Sequence, residues 1–292
     1  MAFQDEFPEI TRVNESLAPY TYLRIGGPAE FLVQPRSREE LAAVVQSVFA
    51  QKLPFRVMGN GCNLVIADEG VRGVVLRLNA PAFTTIQVEN RKIVVGSGAQ
   101  LSAVISAAAR NNLAGFETLV GIQGTIGGAL QCNAGDRTGE IGNYVRRVEV
   151  LDRAGQTQTR ERDEMHFSEN ASDLDDPVIL SIEFELEPDA VDSVVKRMTK
   201  AWITRQASQP LSFESAVRAF KNPRGHQAAT LIEQAGLVGT RVGGAEISER
   251  NANYIIAHPN TAARDLLRLI DLMQSKVRDK SGVQLEREVR IW

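Results

Sequence analysis

Apolar positions along this chain recur with two different periods. Leu41, Val44, Val45, Val48 and Phe49 follow helical spacing behind Ser37 and Glu40, a capping-box pair, and the run ends near Gln51 and Lys52. That predicts an amphipathic helix. Short apolar runs at 55–58 and 74–78 predict strands, so the region up to residue 78 reads as a small mixed unit. Beyond it, 92–96, 148–151 and 178–186 read as strands and 100–112 as an alanine-rich helix. Ile182, Phe184 and Leu186 alternate with Glu183 and Glu185, which predicts a strand with one wet face. A β-rich unit over 79–188 follows from this. Pro188 and Asp189 then punctuate the chain. After them Val191, Val194, Val195, Met198, Trp202 and Ile203 form one stripe of a helix over 190–206. Further helices are expected at 226–235 and 261–278, with a closing strand at 284–292. This makes 189–292 a third, α+β unit.

Composition narrows the partners. The 292 residues carry 36 acidic and 33 basic side chains, a formal charge of −3, with no basic block or aromatic-basic interleaving suited to a phosphate backbone. Nucleic acid is therefore not an expected partner. No apolar run approaches the ~18 residues of a membrane span, and the first residues are acidic and polar, so a cytoplasmic protein without membrane insertion is expected. Cys62 and Cys132 cannot build a disulfide framework and read as small buried residues. His166, His226 and His258 have no metal-site spacing, so no metal is expected. Nothing in the sequence identifies a protein partner.

Two segments carry chemistry. Gly59-Asn60-Gly61-Cys62-Asn63 follows an apolar strand, where glycines let successive N–H groups form an anion-binding concavity; taken alone it reads first as a tight turn. The stretch from Gly121 to Gly135 has five glycines in fifteen positions. That costs backbone entropy on folding and makes sense where the backbone must approach something closely. Its spacing is not the strand-G-x-G-x-x-G-helix fingerprint, so a different nucleotide cradle is required.

Together with Tyr22–Ala29, Phe220-Lys221-Asn222-Pro223, Gly243-Gly244-Ala245 and Leu285–Arg290, these segments closely resemble the UDP-N-acetylenolpyruvoylglucosamine reductase (UDP-N-acetylmuramate dehydrogenase, MurB) family, in its order and over about 270 residues. The resemblance implies an α+β chain of the short type. A two-subdomain FAD-binding fold of the vanillyl-alcohol-oxidase/PCMH type (1–78 and 79–188) would be followed by a MurB-type C-terminal substrate domain (189–292). It implies non-covalent FAD held by Gly59, Asn60, Gly61, Cys62 and Asn63 with Gly121, Gly124, Thr125, Gly127 and Gly128. It also implies NADPH as reductant and UDP-N-acetylglucosamine enolpyruvate as substrate, with Lys221 and Asn222 facing the nucleotide sugar.

In the family, reduced FAD gives hydride to the vinyl carbon of the enolpyruvyl ether. A serine then protonates the resulting carbanion, and an arginine and a glutamate attend the carboxylate. Glu288 matches the glutamate. The serine's position is Arg218, preceded by Val217 where the family has glycine. The arginine's position is Asn170, with Glu169 in place of tyrosine. An arginine with a pKa above 12 is a poor general acid. Losing a general acid costs typically ~10²–10⁴ in rate. Three readings follow: a reductase with rearranged or impaired catalysis, a flavin- or nucleotide-sugar-binding homologue without catalysis acting as sensor or scaffold, and a flavin oxidase acting on another carbohydrate.

Overall fold

Ser37 starts the helix Arg38–Ala50 as its pattern predicts: its Oγ accepts from the Glu40 N–H at 3.2 Å. The second arm of the box is shifted one residue upstream, because the Glu40 carboxylate accepts from the Arg36 N–H at 2.7 Å and also grips the Arg36 guanidinium. Leu41, Val44, Val45 and Val48 are the buried side of this helix.

This computed structural model describes residues 3–136, 138–210 and 215–292. The chain divides into two compact units, the first formed from Met1–Val13, Phe31–Gly59 and Arg72–Thr204 and the second from Asn14–Glu30, Asn60–Val71 and Arg205–Trp292. Among the described residues no helix is long and apolar enough to cross a membrane.

The first unit holds a five-stranded antiparallel sheet in the order Thr157–Glu161, Val145–Leu151, Val178–Glu185, Lys92–Gly96, Ile86–Glu89. Ile182 and Phe184 pack into a core with Leu101, Val104, Ile105 and Ala108 of the helix Leu101–Arg110. Val178 and Leu180 pack on the opposite side, against a core built around the helix Arg38–Ala50. A register shift between the Glu149–Ser181 and Val150–Ile179 pairs breaks the alternation, so Val178 and Leu180 face away from Ile182 and Phe184 despite equal parity. The expected wet face is narrowed, because half-exposed cations from the flanking strands lie over Glu183. Glu183 is only 7% exposed and is held by Lys92 Nζ at 3.1 Å and Arg147 Nη2 at 2.7 Å, the cations arriving from the two flanking strands.

Burial pushes the Glu183 carboxyl up, but the hydrogen bonds from Lys92 and Arg147 outweigh it and the net shift is downward. A depressed folded pKa contributes stability above the ordinary value of ~4.3, and that stability is lost as the pH falls through the lower folded value. Glu183→Gln should thus lower the urea midpoint at pH 7 and differ much less from the unmodified protein at pH 3. A pH-independent difference would mean that the ion pairs are not its source.

The helix after residue 189 forms at Val191–Ser208, but its apolar stripe is not a buried one. Only Val194 is buried and Met198 packs against the core, while Val191, Val195, Trp202 and Ile203 are exposed. Arg197 anchors it to Glu117 and Asp189, each at 2.7 Å, near its N-terminal end.

The second unit is a four-stranded antiparallel sheet in the order Ala216–Arg218, Tyr254–Ala257, Ala245–Ile247, Arg241–Val242. One face supplies Val217, Ile255, Ala257, Ala245 and Ile247 to a core shared with the helices Ala228–Gln234 and Ala263–Ser281. Leu23, Ile25 and Val65 join that core from the N-terminal segments. The expected strand over 284–292 shrinks to Arg290–Ile291, parallel to Leu64–Val65. The preceding residues run irregularly, because Glu286 O, Arg287 and the Glu288 N–H bond to the 219–221 segment instead.

Candidate functional site

In the first unit the strand Phe55–Val57 runs into Met58, whose N–H donates to Leu76 O at 2.8 Å, and then Gly59. A Cβ on Gly59 would lie 2.4 Å from Thr125 Oγ1. Thr125 is the N-cap of the short helix Ile126–Gln131 and accepts from the Gly128 N–H at 3.3 Å. Gly59 is therefore a glycine because the start of the second glycine-rich segment packs directly on it.

The first-turn amides of this helix are committed within the protein: Ile126 N–H donates to Ala99 O at 2.9 Å and Gly127 N–H to Ser97 O at 2.8 Å. What the paired glycines offer is closeness. A Cβ on Gly127 would lie 3.0 Å from Ser97 Cβ, whereas one on Gly128 would meet only Thr125 Oγ1 at 3.4 Å and otherwise open space. Gly121 and Gly124 lead into this turn with φ of +86° and +129°. Beside Gly127, Ser97 is 5% exposed, and its Oγ has no hydrogen-bond partner among the described residues.

Asn60, Gly61, Cys62 and Asn63 belong to the second unit. Gly61 has φ +58° and its carbonyl accepts from the Tyr22 N–H at 3.2 Å. Asn63 O accepts from the Arg290 N–H at 3.0 Å, which fixes the segment against the chain end. The cysteines are not the buried residues expected of them: Cys62 is half-buried and Cys132, just past the helix Ile126–Gln131, is exposed. The residues fit the FAD that the resemblance implies, on two observations: bare backbone over open space at Gly128 and a buried Ser97 hydroxyl left over by the protein's own bonds. FAD bound here would supply two-electron hydride chemistry.

The second unit also brings Arg218 and Glu288 together. Glu288 N–H donates to Ala219 O at 2.9 Å, and Arg218 Nε lies 3.2 Å from Glu288 Oε2, with the side chains 30% and 17% exposed. Lys221 N–H donates to Glu286 O, and its Nζ pairs with Glu286 Oε1 at 2.5 Å. The Asn222 Oδ1 accepts from the Ala228 N–H at 3.0 Å, so this side chain caps the helix Ala228–Gln234.

Asn170 lies in the first unit. With the exposed Glu169 it makes the two-residue turn between Phe167–Ser168 and Ala171–Ser172, at φ +60°. Asparagine suits that left-handed position far better than most residues.

Tyr254, which no motif marks, is the direct cross-strand neighbour of Arg218. Its signal was the apolar run Tyr254–Ala257, whose pairing with 216–218 only the sheet reveals. Ser97 was also missed, hidden behind the end of the strand Lys92–Gly96.

Residues 29–160 match the model of an FAD binding domain, and residues 209–292 match the C-terminal domain of UDP-N-acetylenolpyruvoylglucosamine reductase. Reductases of that name from Moorella thermoacetica and Listeria monocytogenes are 38% and 37% identical over 280 and 291 residues, covering 96% and 99% of this chain and 92% and 97% of theirs. The crystal structure of UDP-N-acetylenolpyruvylglucosamine reductase (MurB) from Thermus caldophilus superposes with a TM-score of 0.83 at 34% identity, over 97% of this chain and 99% of that one. The chain therefore belongs to the UDP-N-acetylenolpyruvoylglucosamine reductase family.

Proposed function

We propose that the chain is an FAD-dependent reductase that uses NADPH to reduce UDP-N-acetylglucosamine enolpyruvate, in peptidoglycan precursor synthesis in the cytoplasm. The domain roles are those the resemblance implies. Residues 1–78 and 79–188 carry FAD, with Gly59, Asn60, Gly61, Cys62 and Asn63 and with Gly121, Gly124, Thr125, Gly127 and Gly128 around its pyrophosphate. Residues 189–292 take the nucleotide sugar, with Lys221 on its phosphates and Asn222 holding the loop that presents Lys221.

The observation that supports catalysis over a lapsed binding protein is the Arg218–Glu288 pair. An arginine left without a task would be expected to wander into solvent, yet this one is held 3.2 Å from the glutamate that the family uses. None of its N–H groups makes a hydrogen bond to another described residue. Arg218 thus keeps donors for the substrate carboxylate, taking over the part that Asn170 cannot play.

Purified protein should be yellow, and acid precipitation should release all the colour, since no histidine lies in either glycine-rich segment. NADPH should bleach the flavin, and the enolpyruvyl nucleotide sugar should restore its absorbance. Bleaching without reoxidation by that substrate would favour the binding protein. Reoxidation by oxygen alone, with a sugar as electron source, would favour an oxidase.

A further inference from the structure

Reduction of an enolpyruvyl ether needs a proton as well as a hydride, and residue 218 cannot supply it, because an arginine does not give up its proton in a protein. Glu288 Oε2 lies 3.2 Å from Arg218 Nε, and a cation so close favours the charged form of a carboxyl over a proton-donating one. Ser215, three residues upstream, shares the parity of Val217, which points into the core.

Among the described residues the sheet places one other O–H at this position. Arg218 and Tyr254 are register partners on adjacent antiparallel strands, as are Val217 and Ile255. Because Val217 and Ile255 both enter the core, Arg218 and Tyr254 share the opposite face. Directly opposed side chains on one face have Cβ atoms about 4.5–5.5 Å apart. Tyr254 is half-buried, and its hydroxyl makes no hydrogen bond to another described residue. The charges of Arg218, Glu288 and Arg205 all reach it.

We propose that Tyr254 is the proton donor of this reductase, replacing the serine that Arg218 has displaced. The proposal rests on the reductase reading above. Hydride adds to the terminal vinyl carbon, and the π electron pair moves to the carbon bearing the carboxylate. The Tyr254 O–H bond breaks as a C–H bond forms at that carbon, and the phenolate left behind recovers its proton from water.

The surroundings suit both ends of this step. Burial pushes the phenol above its ordinary value, with Glu288 adding to this and Arg218 and Arg205 opposing it, so the group keeps its proton until the carbanion forms. The same two arginines then stabilise the phenolate. Tyrosine thus restores a donor without removing the cation from residue 218.

The test is stopped-flow kinetics of FAD-loaded Tyr254→Phe, which keeps the ring and deletes only the O–H. Bleaching by NADPH, flavin content and calorimetric affinity for the enolpyruvyl substrate should match the unmodified protein, while reoxidation by that substrate should slow about 100-fold or more, the low end for loss of a general acid. In D₂O the unmodified protein should reoxidise more slowly than in H₂O. Reoxidation of the variant within about threefold of normal would overturn the assignment, as would loss of flavin or substrate binding, which marks a structural role. If the unmodified protein, not just the variant, fails to reoxidise with this substrate, the reductase reading itself fails and takes the assignment with it.

Discussion

Gly59→Ala should weaken FAD binding by roughly 10- to 100-fold and lower the unfolding midpoint, although it adds one methyl group. An ideal Cβ there falls 2.4 Å from Thr125 Oγ1, 3.3 Å from its Cγ2 and 3.4 Å from its Cβ. The clash cannot be relieved cheaply, because threonine is branched at Cβ and rotating χ1 either brings another heavy atom to the same place or withdraws Oγ1 from the Gly128 N–H. Overpacking of this kind costs about 1–3 kcal/mol, and a lost N-cap adds about 1 kcal/mol. The strain falls on the helix Ile126–Gln131 and so on the open approach over Gly128. Adding Thr125→Ala to Gly59→Ala should recover stability relative to the single variant, since the clashing atoms are gone and only the cap is missing. Flavin fluorescence titration and thermal melts of the two single variants and the double variant complete the cycle. Strictly additive effects would show that residues 59 and 125 do not bear on each other.

That contact shows what the sequence could and could not say. Both glycine-rich segments stood out in the sequence as places of close backbone approach, because an unusual density of glycine is itself a local signal. Their packing through Thr125 is a long-range fact with no local trace. The helix after Ser37 was legible because cap and periodicity agree over one short stretch. Glu183 was misread for the opposite reason. Alternation predicts a wet face only if that face is uncovered, and here the two cations that lie over Glu183, Lys92 and Arg147, come from the flanking strands. The stripe from Val191 to Ile203 was a true helical pattern, but a pattern cannot tell which side finds a partner.

At the positions that the resemblance implies for catalysis the sequence shows substitutions, and the sheet shows what stands beside Arg218. Asn170 appears in sequence as a missing cation. In the structure it fills a left-handed turn position, φ +60°, that asparagine accepts readily. Tyr254 belongs to no motif and gains meaning only from its register with Arg218. The second unit was the hardest to delimit, because Leu23, Ile25 and Val65 lie in its core although they precede the rest of it by some 150 residues or more.

Arg218→Ala should abolish a preference that the unmodified protein shows for the enolpyruvyl nucleotide sugar over plain UDP-N-acetylglucosamine. The two ligands differ in a carboxylate and its vinyl carbon, so the preference reports what holds that charge. Arg218 approaches Glu288 through Nε, and its terminal nitrogens can form a bidentate fork to a carboxylate. A hydrogen bond to a charged group contributes about 1.5–3 kcal/mol, or roughly 10- to 150-fold in affinity. Partial exposure of the guanidinium places the expectation at the lower end. Alanine would also leave Glu288 without this cation beside an arriving carboxylate, so the variant should bind the two ligands equally or even prefer the plain sugar. Arg218→Lys should keep part of the preference, having charge without the fork. Glu288→Gln should preserve it, because the guanidinium then has no competing anion. Restoring the family's serine with Arg218→Ser should not bring normal reduction, since the carboxylate would lose its cation while Asn170 stays in its turn. Calorimetry with both ligands on each variant decides the matter: equal affinities in the unmodified protein, or full activity in Arg218→Ser, would show that the charge lost at residue 170 has not been replaced at 218.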